Sequence, residues 1–174
     1  MNPRGKTATI RIGISSCLLG EHVRYDGGHK RDACIIETLG RYFEFVPVCP
    51  EVAIGLGVPR APIRLIGDPH AARAVGVDDP TLDVTDRLSA YGARMAVELD
   101  GISGYILKSR SPSCGMEGVE VFASVATAAG LYARAFMDLQ PLLPVEEEGR
   151  LADPALRENF IERVYAYRRR QDLL

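Results

Sequence analysis

With 174 residues, 47% of them hydrophobic and 25% charged, the chain has the size and make-up of one ordinary globular domain. A formal net charge of −2 leaves no basic surplus, which tells against nucleic acid as the main partner. No apolar run approaches the ~20 residues of a membrane-spanning helix, and no apolar signal core follows Met1–Lys6; we expect no membrane partner and a cytoplasmic location.

In chain order, residues 8–16 pass from alternation to a continuous apolar run and predict a strand entering a core. Asp26-Gly27-Gly28 marks a turn, and residues 30–42 predict a helix with Ile35, Leu39 and Tyr42 on one side. Residues 43–48, rich in β-branched and aromatic side chains, predict a second strand. The proline- and glycine-rich stretch from Pro50 to Pro69 reads as a long ordered loop. Asp83 is placed to cap a helix over 84–99, with Val84, Leu88, Tyr91, Met95 and Leu99 on one stripe. Residues 104–108 predict a third strand, 119–123 a short one and 127–139 a helix. Asp153-Pro154 predicts a capped final helix with Leu156, Phe160, Val164 and Tyr167 on one face. Strands alternating with helices predict an α/β fold: a single domain with a mainly parallel, Rossmann-like central sheet flanked by helices.

Four cysteines without a CxxC pair do not match a disulfide-dense secreted scaffold. Cys34 lies inside an amphipathic stretch and reads as a small buried hydrophobe. Cys17, Cys49 and Cys114 instead follow the three predicted strands, in loops of Gly, Pro and Ser. If those strands are parallel, the three sulfurs share the carboxyl-end crevice and suggest a soft-metal site with an open coordination position. Zinc is the competing metal, although His22, His29 and His70 stand at no ligand spacing from a cysteine. Glu51, two residues after Cys49, either shares the crevice or is a surface charge. Ser16, Arg24, Asp26, Lys108, Ser111 and Ser113 cluster around the cysteines in sequence and are candidates for a substrate pocket.

Three segments carry a family resemblance. Ser15-Ser16-Cys17-Leu18-Leu19-Gly20 with Val23-Arg24-Tyr25-Asp26-Gly27 is the first. Val48-Cys49-Pro50-Glu51 with Gly55-Leu56-Gly57-Val58-Pro59-Arg60 is the second, and Lys108-Ser109-Arg110-Ser111-Pro112-Ser113-Cys114-Gly115 the third. In this order they resemble the motifs of the thiouracil desulfidase family, a bacterial family once of unknown function. The resemblance implies a [4Fe–4S] cluster held by Cys17, Cys49 and Cys114, with one iron left open for the substrate sulfur. It implies an enzyme that converts a thiolated pyrimidine of the 2-thiouracil type to uracil and hydrogen sulfide without net redox change. Glu51 would be its proton shuttle, and Ser111, or else Ser113, the assisting hydroxyl. The partner is then a small thiolated nucleobase, with the chain a monomer or homodimer. Residues 1–150 form the cluster-binding domain, and 151–174 a helical extension packed on it or leading to an absent second domain. The alternatives are a non-catalytic iron–sulfur carrier or sensor, and a zinc-stabilised binding module.

Overall fold

The computed structural model describes residues 9–174. Positions 1–6, considered above for a signal core, and residue 8 of the expected first strand lie outside them. Four strands, β1 (Ile10–Ser15), β2 (Phe43–Val48), β5 (Tyr105–Leu107) and β8 (Val145–Glu147), form one parallel sheet in the order β2-β1-β5-β8. The fold is the expected α/β domain with a parallel central sheet between helices.

Side-chain alternation explains the layering. Tyr105 and Leu107 face the core under α3 (Thr85–Glu98) and α4 (Leu131–Leu139). Ile12, Ile14 and Ile106 join the opposite core with Ile35 and Leu39 of α1 (Ala33–Leu39) and Phe160 and Val164 of α5 (Pro154–Gln171). β1 is central and its glycine is compulsory: a Cβ on Gly13 would stand 2.8 Å from the Tyr105 ring. β2 lies at the sheet edge, which is why Pro47 is tolerated in mid-strand.

The expected elements shift where local chemistry intervenes. α1 starts at Ala33 rather than 30, because the Lys30 and Asp32 backbone N–H groups are committed to the carbonyls of Cys17 and Leu18. Asp32 then caps the helix, accepting from the Ile35 N–H at 3.0 Å. The short helix turns Ile35 and Leu39 inward and leaves Cys34 exposed, which corrects its reading as buried. α3 starts one residue later than expected, with Val84 at the cap and the Asp83 carboxylate accepting from the Thr85 N–H. Asp153 caps α5 as predicted, accepting from the Ala155 N–H at 2.8 Å.

The stretch 50–69 is not one loop. It contains a helical turn, α2 (Pro50–Ala53), and strand β3 (Ile63–Ile66), which pairs antiparallel with β4 (Arg73–Gly76). Pro50 at the first helical position has the φ angle the turn needs. The start of the expected helix at 127–139 is instead β7 (Thr127–Ala128), paired with β6 (Val119–Glu120); helix α4 begins at Leu131. The β3/β4 and β6/β7 hairpins pack together with Val84, Leu88 and Leu131 in a satellite core.

Chain order within the sheet decides where ligands can sit. From β1 the chain goes outward to β2, then returns across β1 to β5, so the connections diverge at β1. Open α/β sheets bind ligands at the carboxyl ends of strands at such a switch point. The loop after β5 is strapped to the start of α4: the Gly130 N–H donates to the Gly115 carbonyl at 2.7 Å, and the Ala133 N–H to the Ser113 carbonyl at 3.0 Å. A Cβ on Gly130 would meet Ser113 C at 2.5 Å and Cys114 N at 2.8 Å. Gly130→Ala is therefore expected to lower unfolding free energy by about 1–3 kcal/mol, as overpacking does, measured by urea denaturation.

Candidate active site

The loops after β1, β2 and β5 enclose a cavity of about 400 Å³. Cys17 enters it from the 3₁₀ turn Ser16–Leu19 after β1, Cys49 caps α2 directly after β2, and Cys114 ends the serine-rich loop after β5. The three cysteines predicted to meet do share one cavity, while Cys34 lies elsewhere, its sulfur 3.5 Å from Arg157 Nη1. Ser16, Arg24, Lys108, Glu51, Ser111 and Ser113 also line the cavity. Asp26 does not: its carboxylate accepts the Gly28 N–H at 2.9 Å, which closes the turn and holds the carboxyl below its usual range. His22, His29 and His70 also lie outside the lining.

Burial governs the cysteines. It raises the Cys17 thiol, against the opposing charges of Lys108 and Arg24. It raises Cys49 likewise, opposed by the Val52 backbone N–H and the Arg60 charge. It raises Cys114 furthest, where a hydrogen bond from Ser15 only partly offsets the effect. Thiols in this state are poor nucleophiles at neutral pH. A cationic metal group deprotonates a coordinating thiol outright, so this donor set suits metal ligation better than covalent or disulfide chemistry. Among the described residues, no group of three or more His, Cys, Asp or Glu closes on one point as ligands of a single metal ion do. The cysteines stand instead around a shared space, and the soft, all-sulfur donor set fits an iron–sulfur cluster.

Two carboxylates organise the polar wall. Glu51 accepts from Arg60 Nε at 2.7 Å through Oε2 and from Ser113 Oγ at 2.8 Å through Oε1. Ser113 is buried, so its hydroxyl is committed to this contact. Ser111 Oγ instead accepts the backbone N–H groups of Ser113 (3.2 Å) and Cys114 (3.0 Å), which leaves its own proton for a further acceptor in the cavity. Glu148, just beyond β8, binds Lys108 Nζ at 2.8 Å and the Ser109 N–H at 2.7 Å. The Lys108 ammonium, predicted to face substrate, is thus anchored at the cavity wall by an ion pair.

Neither Arg60 nor Glu148 was singled out from sequence. Arg60 stood within the second motif without a role, and Glu148 ends a run of three glutamates that resembles a solvated charged stretch. β8 went unpredicted for the same reason, although Glu146 in it is buried between Arg150 and Arg163 at 2.8 and 2.7 Å.

The family model described as 2-thiouracil desulfurase matches residues 12–148, a span that includes all three cavity cysteines, Glu51 and Glu148. The chain belongs to the 2-thiouracil desulfurase family. Similar proteins agree with this placement. A solved structure named as a [4Fe–4S]-dependent thiouracil desulfidase, TudS, superposes with a TM-score of 0.64 at 32% identity, covering 86% of this chain and 98% of that one. An uncharacterized protein of Bacillus subtilis (strain 168), YbbK, is 33% identical over 133 residues, which cover 68% of this chain and 87% of that protein. Among the described residues no helix is long and apolar enough to cross a membrane.

The ion pair that anchors Lys108 at the cavity wall carries a testable pH signature. Burial acts to raise the Glu148 carboxyl, but hydrogen bonds from Lys108 and Ser109 outweigh it and the net shift is downward. A depressed carboxyl contributes stability above its unfolded value, and that contribution disappears as pH falls through the native value. Glu148→Gln should therefore lower unfolding free energy at pH 7 by about 1 kcal/mol, the usual order for a hydrogen bond. In urea titrations the gap to wild type should close as pH is lowered from neutral to well below 4.5.

Proposed function

We propose that this chain is a desulfidase that replaces the sulfur of a thiolated pyrimidine with oxygen, converting a 2-thiouracil-type base and water to uracil and hydrogen sulfide. The observation that carries the reading is a single cavity. Three cysteines from three separate strand ends line it, and beside them stands a carboxylate already hydrogen-bonded to a serine. Family membership and the name of the similar solved structure support the same reaction class. Cys17, Cys49 and Cys114 would hold a [4Fe–4S] cluster, whose protein-free iron supplies a soft Lewis acid for the thiocarbonyl sulfur and makes its carbon more electrophilic.

The remaining chemistry belongs to the chain's own residues. Glu51 has one lone-pair position on each oxygen taken, by Arg60 and by Ser113, and retains others for a water molecule. It serves as general base, taking a proton from water as the oxygen bonds to the thiocarbonyl carbon and the C=S π pair moves to sulfur. The Ser111 hydroxyl, its oxygen fixed by two backbone N–H groups, donates to the pyrimidine as charge builds. Collapse forms the C=O bond from the oxygen of water, the C–S pair leaves with sulfur, and two protons originating from water go to sulfide. Ser113, buried against Glu51, orients the carboxylate rather than touching substrate. Arg24 and the anchored Lys108 add positive charge to the wall that receives the pyrimidine oxygen. A cytoplasmic setting fits a thiolate-held cluster.

Three outcomes test this reading. Anaerobically reconstituted protein is expected to be brown, to hold about four irons per chain and to release sulfide from 2-thiouracil. Cys17→Ser, Cys49→Ser and Cys114→Ser should each lose iron, while Cys34→Ser keeps it; equal iron in all four variants would remove the cysteine assignment. Glu51→Gln should keep iron yet turn over ~10²–10⁴-fold more slowly. A wild-type protein that holds its iron and leaves thiouracil intact would instead be a carrier or sensor.

A further inference from the structure

Among the described residues, Arg60 is the cation of the cavity lining whose side chain pairs with the carboxylate assigned the proton transfers. Its side chain is 7% exposed and that of Glu51 13%, so the pair is screened from water on nearly every side. The guanidinium is held at both ends, with Nε on Glu51 Oε2 at 2.7 Å and Nη1 on the Gly57 carbonyl at 2.9 Å. Its backbone N–H donates to the Tyr25 carbonyl at 2.8 Å, tying the loop after β2 to the loop after β1. The Leu56 N–H closes on the Glu51 backbone carbonyl at 3.1 Å, which turns the segment back on itself before Arg60. Ser113 then fixes the other oxygen from the third loop. A carboxylate gripped through both oxygens by side chains from two different loops cannot rotate without breaking one contact.

We infer that Arg60 is a positioning residue for the desulfuration, acting through Glu51 by fixing the orientation in which that carboxylate meets water and Ser113. The inference rests on the function proposed above and names a further determinant of that site. A planar fork with two engaged N–H groups defines an orientation that a point-charge ammonium does not reproduce. Lysine at position 60 is therefore a discriminating substitution, because it keeps the charge and removes the fork.

Steady-state kinetics of the reconstituted protein on 2-thiouracil test the idea. Arg60→Lys is expected to lower kcat by ~10–100-fold, the scale of a small misplacement of a catalytic group, with KM within about twofold and with native iron content and thermal midpoint. Since Arg60→Ala strands a buried carboxylate and risks misfolding, its folded fraction is assayed with guanidinium chloride at millimolar concentration, which should restore part of kcat without changing KM. Independently of turnover, a double-mutant cycle of Arg60→Gln and Glu51→Gln, read by urea unfolding of the full chain, should be non-additive. Native kcat in Arg60→Lys, a loss of kcat that tracks iron loss, or an additive cycle would each overturn the inference. Wild-type protein that holds iron without releasing sulfide would overturn the desulfidase reading and the positioning role together, leaving only the ion-pair coupling measured by unfolding.

Discussion

Parallel pairing of β1 with β2 on one side and β5 on the other is the constraint on which the rest of the molecule depends. Because all three strands run the same way, the three loops that follow them emerge on one side of the sheet. Three chemically unremarkable segments far apart in sequence are thereby brought to one cavity. The pairing is itself enforced by burial on both faces: Ile12 and Ile14 beneath α1 and α5, and Gly13 against the Tyr105 ring. A larger residue at position 13 would push β5 away and take the Ser111–Cys114 loop with it.

Around that cavity, charge is arranged by loops and not by the sheet. Each cysteine is buried enough to favour the neutral thiol, while cations sit within reach of two of them: Lys108 and Arg24 near Cys17, and Arg60 near Cys49. Two acids are each tied to one of these cations: Glu51, which lines the cavity, to Arg60, and Glu148, behind the lining, to Lys108. Pairing keeps the acids from adding free negative charge beside the sulfurs and gives each carboxylate a fixed place. Hydrogen bonds between the loops, such as Arg60 N–H to the Tyr25 carbonyl and Ser113 Oγ to Glu51, hold them in register.

Much of this was legible in the residues. β1, β2 and β5 are short apolar runs bounded by turn residues, α3 has an amphipathic stripe, and α5 has one with an acidic cap, signals that do not depend on distant partners. The convergence of Cys17, Cys49 and Cys114 followed from strand parallelism alone. What escaped had its cause elsewhere in the chain. β4 forms because β3 pairs with it, and β8 holds two glutamates in a strand because Arg150 and Arg163 neutralise Glu146 from beyond it. Cys34 was misplaced because α1 turns Ile35 and Leu39, one turn apart, into the core and leaves the adjacent position 34 on the outer face. Arg60 acquires meaning only once its segment turns back onto Glu51, and Glu148 only through Lys108 and Ser109 of another loop; no local pattern announces either.

The proline in β2 has a bearing on solubility. A sheet border normally offers a row of free N–H and C=O groups onto which a neighbouring molecule's strand can zip. Pro47 interrupts that row on the outermost strand, where it lies exposed and has no N–H to give. The same residue that local sterics confine to the rim thus discourages one copy of the protein from growing its sheet into the next.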